Sequence, residues 1–428
     1  VHFFVSVSIM TLMRLIVQFV YTQIVESNIN YTNIMIYGAG KLGSITRSVV
    51  VKDDKIHYKI VGYIDDNNAL WGSRLSGIKI YSPTEGLDLA SKKFKVKELI
   101  LAISASKIDI ERKREIVDLC LDKGIKVKEV PDTKKWLNGT FAGTQIKSVS
   151  IDDLLGRDQI QLDTEAITAG IYGKNVMVTG GAGSIGSEIV RQLIAHYPRS
   201  IIVVDQAESA LFDIQQEIMP QLEDVEFKPF VADITDAFEL RKIFESCKPN
   251  LIYHAAAYKH VPLMENQPYN AVRNNLGGTR NLADLAIEFG VEKFVMVSTD
   301  KAVNPTNIMG TTKRMCELYI QSLSRKKGIN TQFITPRFGN VLGSNGSVIP
   351  LFKKQIEAGG PVTLTHKDII RYFMTIPEAC QLVMEAGFMG KGGEIFLFDM
   401  GKPVRIFDLA VKMISLSGYI PHKEIAIK

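Results

Sequence analysis

The sequence predicts an α/β protein made of two doubly wound, parallel-sheet domains in tandem. Two glycine turns carry that prediction, each set between an apolar run and a helix start: Gly38-Ala-Gly40-Lys-Leu-Gly43 and Gly180-Gly-Ala-Gly183-Ser-Ile-Gly186. The third observation is the alternation of short apolar runs with helical stretches after each turn. That alternation implies parallel strands covered by helices on both faces.

At 428 residues the chain exceeds one ordinary core. A hydrophobic content of 46% with 23% charge marks it as globular rather than disordered. The net charge of +5 is modest. No run of Lys and Arg is interleaved with aromatics, so a nucleic-acid partner is not expected. The cysteines, Cys120, Cys247, Cys316 and Cys380, form no C-x-x-C pair. They are read as core residues in a reducing compartment, and no metal site is expected.

Residues 1–29 form a hydrophobic segment. About 20 clean apolar residues are needed to span a bilayer, and here Arg14 and Gln18 break the run. No basic region precedes it, which argues against a signal peptide. Three readings stay open: the tail of a transmembrane helix, an interfacial helix, or a helix packed on the soluble part.

The first domain is predicted over residues 30–135. Its strands are the run up to Tyr37, then 59–65, 98–104 and the run ending Lys128-Glu129-Val130, with a helix over 110–123 stopped by Gly124. Residues 136–172 show no strong period and read as a connector. The second domain is predicted over 173–428, with strands at 175–179, 200–205, 251–256, 294–298 and 331–335.

The second glycine turn is the sharper signal. Gly180 permits the tight turn, Gly183 lets a pyrophosphate approach the backbone, and Gly186 lets helix and strand pack closely. Ser184 and Ile185 lie in the turn and are counted with the cofactor-binding residues, and the helix that follows, Ser187 to His196, offers free N–H groups and a partial positive charge that suit phosphates. Asp205 ends the next strand. A carboxylate there binds both ribose hydroxyls and repels a 2′-phosphate, which points to NAD rather than NADP. The first turn, with Asp65-Asp66 after its next strand, is weaker, and its ligand is left open.

The run Ser298-Thr-Asp-Lys-Ala-Val-Asn-Pro-Thr-Asn-Ile-Met309-Gly-Thr-Thr-Lys313 begins at a strand end, where such folds place reactive groups. Met309 and Lys313 fall four apart on one helix face. In short-chain dehydrogenases a Tyr stands where Met309 does, and a thioether cannot take its proton.

This stretch resembles that of the long, membrane-anchored UDP-N-acetylglucosamine 4,6-dehydratases of bacterial polysaccharide biosynthesis, a subgroup with Met in place of Tyr. Further matching pieces are Ile151-Asp-Asp-Leu-Leu-Gly-Arg157, His254-Ala-Ala-Ala-Tyr-Lys-His-Val-Pro262, Pro336-Arg-Phe-Gly-Asn-Val-Leu-Gly343 and Asp368-Ile-Ile-Arg-Tyr-Phe-Met374. The resemblance implies two Rossmann-like domains, the second an extended short-chain dehydrogenase/reductase fold with a small C-terminal substrate lobe. It implies a redox-neutral reaction on a UDP-N-acetylhexosamine: oxidation at C4, loss of water across C5–C6, and reduction at C6 to a UDP-4-keto-6-deoxy sugar.

On that resemblance Asp300 is the acid for the leaving hydroxyl and Lys301 the base at C5. Thr299 polarises the C4 oxygen, and the C4 proton leaves either through Thr299 and a water or through Asp300. Met309 is silent and Lys313 binds the nicotinamide ribose. Asp233 and Ile234 reach the adenine, and Ala255 and Ala256 pass close to the cofactor. Lys259 and Asn340 face the sugar nucleotide, and Arg371 pairs with a phosphate.

The family continues beyond the last residue here and carries transmembrane helices upstream, so the chain is expected to be truncated at both ends. It is expected as a homo-oligomer at the bacterial inner membrane, with the catalytic domains on the cytoplasmic side. The alternatives are a UDP-sugar 4-epimerase and a non-catalytic protein that binds NAD and UDP-sugar.

Overall fold

The computed structural model describes residues 6–7, 9–18, 31–52, 57–104, 107–131, 146–155 and 164–428. The chain folds as two compact units, Val1–Leu154 with Ser415–Tyr419, and Leu155–Ile414 with Ile420–Lys428.

In the first unit β1 (Thr32–Tyr37) runs through the glycine turn into α1 (Lys41–Lys52), followed by β2 (Tyr58–Ile64), β3 (Arg74–Leu75), β4 (Ile78–Tyr81), α2 (Pro83–Lys92), β5 (Glu98–Leu101), α3 (Ile110–Asp122), β6 (Lys126–Glu129) and β7 (Lys147–Ser148). The sheet order is β3-β4-β2-β1-β5-β6-β7. Its inner strands are parallel and its two edge strands antiparallel. The central strands are apolar on both sides because helices cover both faces. Val50 of α1 packs on one face, and Leu87, Ile116 and Cys120 of α2 and α3 pack on the other. Ser82 and Asp109 cap α2 and α3 by accepting from backbone N–H groups of the first turn.

The second unit enters through α4 (Thr164–Ile171) and β8 (Asn175–Thr179). It continues with α5 (Ser184–Ile194), β9 (Ser200–Asp205), α6 (Glu208–Ile218), β10 (Glu226–Val231), α7 (Ala237–Cys247), β11 (Leu251–His254), α8 (Gly278–Glu288), β12 (Lys293–Met296), β13 (Ser298–Thr299), α9 (Ile308–Ser324) and β14 (Gln332–Phe338). The strand order β10-β9-β8-β11-β12-β14-β13, with β18 (Ile395–Leu397) on β14, is parallel throughout. The order reverses between β8 and β11. In a doubly wound sheet that reversal opens a crevice at the strand carboxyl ends. One core packs Val190 and Val383 against the sheet, the other Phe244, Leu282 and Ile320. Beyond β14, short pairs build a small lobe: β15 (Asn340–Val341) lies beside β17 (Phe373–Met374), and β16 (Ile370–Arg371) beside β19 (Val404–Arg405).

The predicted strands are present with shifted ends. β10, which carries Pro229, was not expected as a strand. It is the sheet edge, where a missing N–H costs no ladder bond. The helix after the second glycine turn starts at Ser184, earlier than its apolar period suggests. Residues 136–172, read as a connector, carry β7, a helix over Ile151–Leu155 and α4 among their described residues.

The two glycine turns share their local geometry. A Cβ on Gly43 would lie 2.0 Å from the Gly38 carbonyl oxygen, and one on Gly186 would lie 2.1 Å from that of Gly180. Asp65 accepts from the N–H groups of Ala39 and Asn67, as Asp205 does from those of Ala182 and Ala207.

Candidate active site

The crevice between β8 and β11 is a cleft lined by Gly180, Gly183, Asp205, Asp233, Ala255 and Ala256, with Ile234 beside them. Gly180 has φ +68°, and a Cβ there would lie 2.6 Å from Ala256 Cα. Only glycine lets the two strand ends come this close. Gly183 caps α5 with no side-chain bond, which leaves the first N–H groups of the helix facing the cleft. Asp205 holds both carboxylate oxygens on backbone N–H groups, at 3.0 Å each, so its position at the cleft wall is set before a ligand arrives. These features fit a dinucleotide: a backbone cradle for the pyrophosphate, and a fixed carboxylate for ribose hydroxyls.

Seven of the residues expected to hold the cofactor line this one cleft. Ser184 and Ile185 sit behind it in the first turn of α5. Ser184 Oγ accepts from the N–H of Asn345 at 3.2 Å, and the Ile185 carbonyl accepts from Cys380 Sγ. Gln206, Tyr258 and Asn274 also line the cleft and were not anticipated. Asn274 arrives there on a π-helical turn, Val272–Gly277. Such a turn shows no signal in apolar periodicity and recurs at functional sites.

The Ser298–Lys313 run places its groups as follows. Thr299 ends β13 and its hydroxyl donates to Asp300 Oδ1 at 2.9 Å. Lys301 Nζ lies 3.1 Å from the same oxygen and donates to Asn340 Oδ1 at 3.3 Å. Thr299, Asp300, Lys301 and Asn340 are thus one hydrogen-bonded chain. The Lys301 and Asp300 side chains are 32% and 49% exposed, so their ion pair contributes little to stability. Asn340 Nδ2 donates in turn to the Tyr372 carbonyl at 3.5 Å.

Met309 is buried in an apolar cluster with Met264 and Ala271. Lys313 is buried one turn further along α9, and burial pushes its ammonium pKa down, against the opposing pull of Cys316 and Glu317. Under it lies His254, hydrogen-bonded to the hydroxyls of Thr179 and Thr279 at 2.7 and 2.9 Å. Burial, with Lys313 adding to it, lowers the His254 pKa to about 3, so this ring stays neutral. Lys259 and Arg371 are exposed, and Arg371 donates to the Ile370 carbonyl at 2.9 Å.

Fold and cleft define a doubly wound α/β protein whose glycine turn and fixed aspartate fit a dinucleotide, with a hydrogen-bonded polar chain at the end of β13. The chain belongs to the polysaccharide biosynthesis protein family, whose sequence profile matches residues 176–428. It is 44% identical over 386 residues to the capsular polysaccharide biosynthesis protein CapD of Staphylococcus aureus, covering 90% of this chain and 64% of that one. It is 32% identical over 258 residues to a UDP-N-acetylglucosamine 4,6-dehydratase (inverting) of Campylobacter jejuni, covering 60% of this chain and 74% of that one. It is 34% identical over 229 residues to a UDP-glucose 4-epimerase of Rickettsia canadensis, covering 52% and 65%. The chain therefore spans less than two thirds of the capsular relative's length, and its relatives include both nucleotide-sugar dehydratases and epimerases.

Proposed function

We propose that this chain is a nucleotide-sugar 4,6-dehydratase that converts UDP-N-acetylglucosamine to a UDP-4-keto-6-deoxy sugar for polysaccharide or glycan biosynthesis. The observation that carries this reading is the Thr299–Asp300–Lys301–Asn340 chain at the end of β13. NAD, when bound, supplies the hydride acceptor for C4 and the donor for C6.

The residues handle the protons. Thr299 accepts the C4 hydroxyl proton as its own passes to Asp300, along the hydrogen bond it already makes. This favours the Asp300 route over a water route. Elimination needs Asp300 protonated and Lys301 neutral. The proton relayed from the C4 hydroxyl through Thr299 protonates Asp300, and Lys301 enters the cycle as the free amine. Lys301 then takes the C5 proton while Asp300 protonates the departing hydroxyl. Lys301 returns its proton to C5 when C6 is reduced. Asn340 keeps Lys301 oriented. Lys313 is assigned to the nicotinamide ribose, Asp233 and Ile234 to the adenine, and Lys259 and Arg371 to the nucleotide sugar.

A UDP-sugar 4-epimerase is the second reading, favoured by the Rickettsia relative. Epimerisation returns the hydride to C4 and needs neither Asp300 nor Lys301. Mass spectrometry of UDP-N-acetylglucosamine after incubation with purified protein and NAD separates the two. Loss of one water supports the dehydratase. An unchanged mass with conversion to the galacto sugar replaces it by the epimerase, and no conversion despite bound NAD leaves a binding protein.

We also propose that the N-terminal residues bring the chain to the cytoplasmic face of the bacterial inner membrane, and that it works as a homo-oligomer. Residues 9–18 are helical and expose Ile9, Met10, Leu12, Met13, Leu15 and Ile16. Among the described residues no helix is long and apolar enough to cross a membrane.

A further inference from the structure

Beneath the Thr299–Asp300–Lys301 turn lies a buried carboxylate that the reaction scheme above leaves unused. Glu317 follows Met309 and Lys313 on one face of α9, four residues further along. Its side chain is 0% exposed. Oε1 accepts from Ser298 Oγ at 2.6 Å and from Arg337 Nε at 3.0 Å. Oε2 accepts from Arg337 NH2 at 2.6 Å and from Arg314 NH1 at 2.9 Å. An ionised carboxylate offers about four acceptor sites, and all of them are taken here. Burial opposes its ionisation, but Arg337, Ser298 and Arg314 outweigh burial and hold it below the usual carboxylate range.

The geometry joins three elements. Ser298 is on β13, its register partner Arg337 is on β14, and Glu317 is on α9. β13 is two residues long, so its ladder with β14 holds it at Ser298 and Thr299 only. The carboxylate fixes the inner end of that strand, and the next three residues carry the proton-transfer groups. We propose that Glu317 is a positioning residue: through Ser298 and Arg337 it sets where Thr299, Asp300 and Lys301 stand relative to Lys313 on the same helix. The proposal rests on the dehydratase reading. A buried ion pair is not needed for stability alone, since apolar residues of similar volume often serve as well. Fixed placement of reacting groups does need one, because a shift of about 1 Å can cost about a hundredfold in rate.

Glu317→Gln is a poor probe, because it leaves two guanidinium groups facing a neutral amide and can unfold the chain. Ser298→Ala removes only the link to the strand and keeps the ion pairs. Arg314→Ala removes a donor that comes from α9 itself and is the control. With UDP-N-acetylglucosamine as substrate, Ser298→Ala is expected to lower kcat about tenfold or more, at a KM within about twofold of the parent. Ser298→Cys, a weaker donor of similar shape, falls between the two. Arg314→Ala lowers Tm and leaves kcat close to the parent value. Parent-like kcat in Ser298→Ala overturns the proposal, and so does an equal loss of kcat in Arg314→Ala. If the parent makes no dehydrated product, the dehydratase reading itself fails. Hydrogen exchange at residues 299–302 then decides the positioning: faster exchange in Ser298→Ala but not in Arg314→Ala supports it, and equal exchange overturns it.

Discussion

Asp300 and Lys301 lie 3.1 Å apart, and the reaction scheme gives each its own proton to move, Asp300 at the departing hydroxyl and Lys301 at C5. Asp300→Asn and Lys301→Ala are each expected to lower turnover by about 10²–10⁴-fold with NAD still bound, measured as formation of dehydrated product beside the bound NAD content. His254 supplies a test of stability at the same scale. Its folded pKa of about 3 lies below the ordinary imidazole value of 6.5, so below 6.5 the unfolded chain binds a proton that the folded chain does not. Its contribution to stability is present above 6.5 and is lost as pH falls toward about 3. Thermal unfolding should show Tm dropping through that window, with His254→Gln making the drop shallower.

At the scale of elements, the glycine turn and α5 act as one piece. A Cβ on Gly186 would lie 2.1 Å from the Gly180 carbonyl oxygen, whereas one on Gly183 would lie 3.2 Å from it. Gly186→Ala therefore forces α5 away from β8, while Gly183→Ala calls for a shift of a few tenths of an ångström. The expected order in Tm is parent, then Gly183→Ala, then Gly186→Ala a few kcal/mol less stable. NAD titration followed by fluorescence should show weak binding for Gly183→Ala, because the methyl stands where the pyrophosphate approaches, and none for Gly186→Ala. The paired strands of the small lobe are each two or three residues long. They hold Asn340 and Arg371 by backbone pairing in the folded chain rather than by any strand propensity of their own.

At the scale of the whole molecule, the chain is two units that each carry a glycine turn and a following aspartate, yet the family profile begins only at residue 176. The exposed apolar side chains of residues 9–18 suit an interfacial or membrane-inserted segment. The full chain is expected to float with lipid vesicles in a density gradient, and a version lacking residues 1–30 to stay at the bottom. Flotation of the shortened chain would move the membrane contact elsewhere. Light scattering in detergent should give a mass of at least twice the chain, and a monomer would end the homo-oligomer proposal.

Several parts of this protein are legible in its sequence because they depend on neighbours along the chain. A strand such as Ser200–Asp205 is an unbroken apolar run ending in a carboxylate, and the glycine spacing after β8 admits one turn geometry. The two doubly wound sheets, the glycine turn and Asp205 follow from such local patterns, whereas Asp233, Ile234, Ala255, Ala256 and Lys313 were reached only through the family resemblance. The edge hairpin of β3 and β4, the two-residue strands and the π turn that carries Asn274 do not, since elements this short have no period to read and exist through the sheet or helix they join. Pairing across distance was likewise decided only on folding: Asn340 against Lys301, Asn345 against Ser184, and Glu317 against Ser298 and Arg337. A hydrogen bond between residues far apart in the chain leaves no mark on either local sequence. The sequence alone determined which residue types stand at the strand ends, and the tertiary structure decided which of them meet, because only the packed sheet brings their polar atoms within about 3 Å.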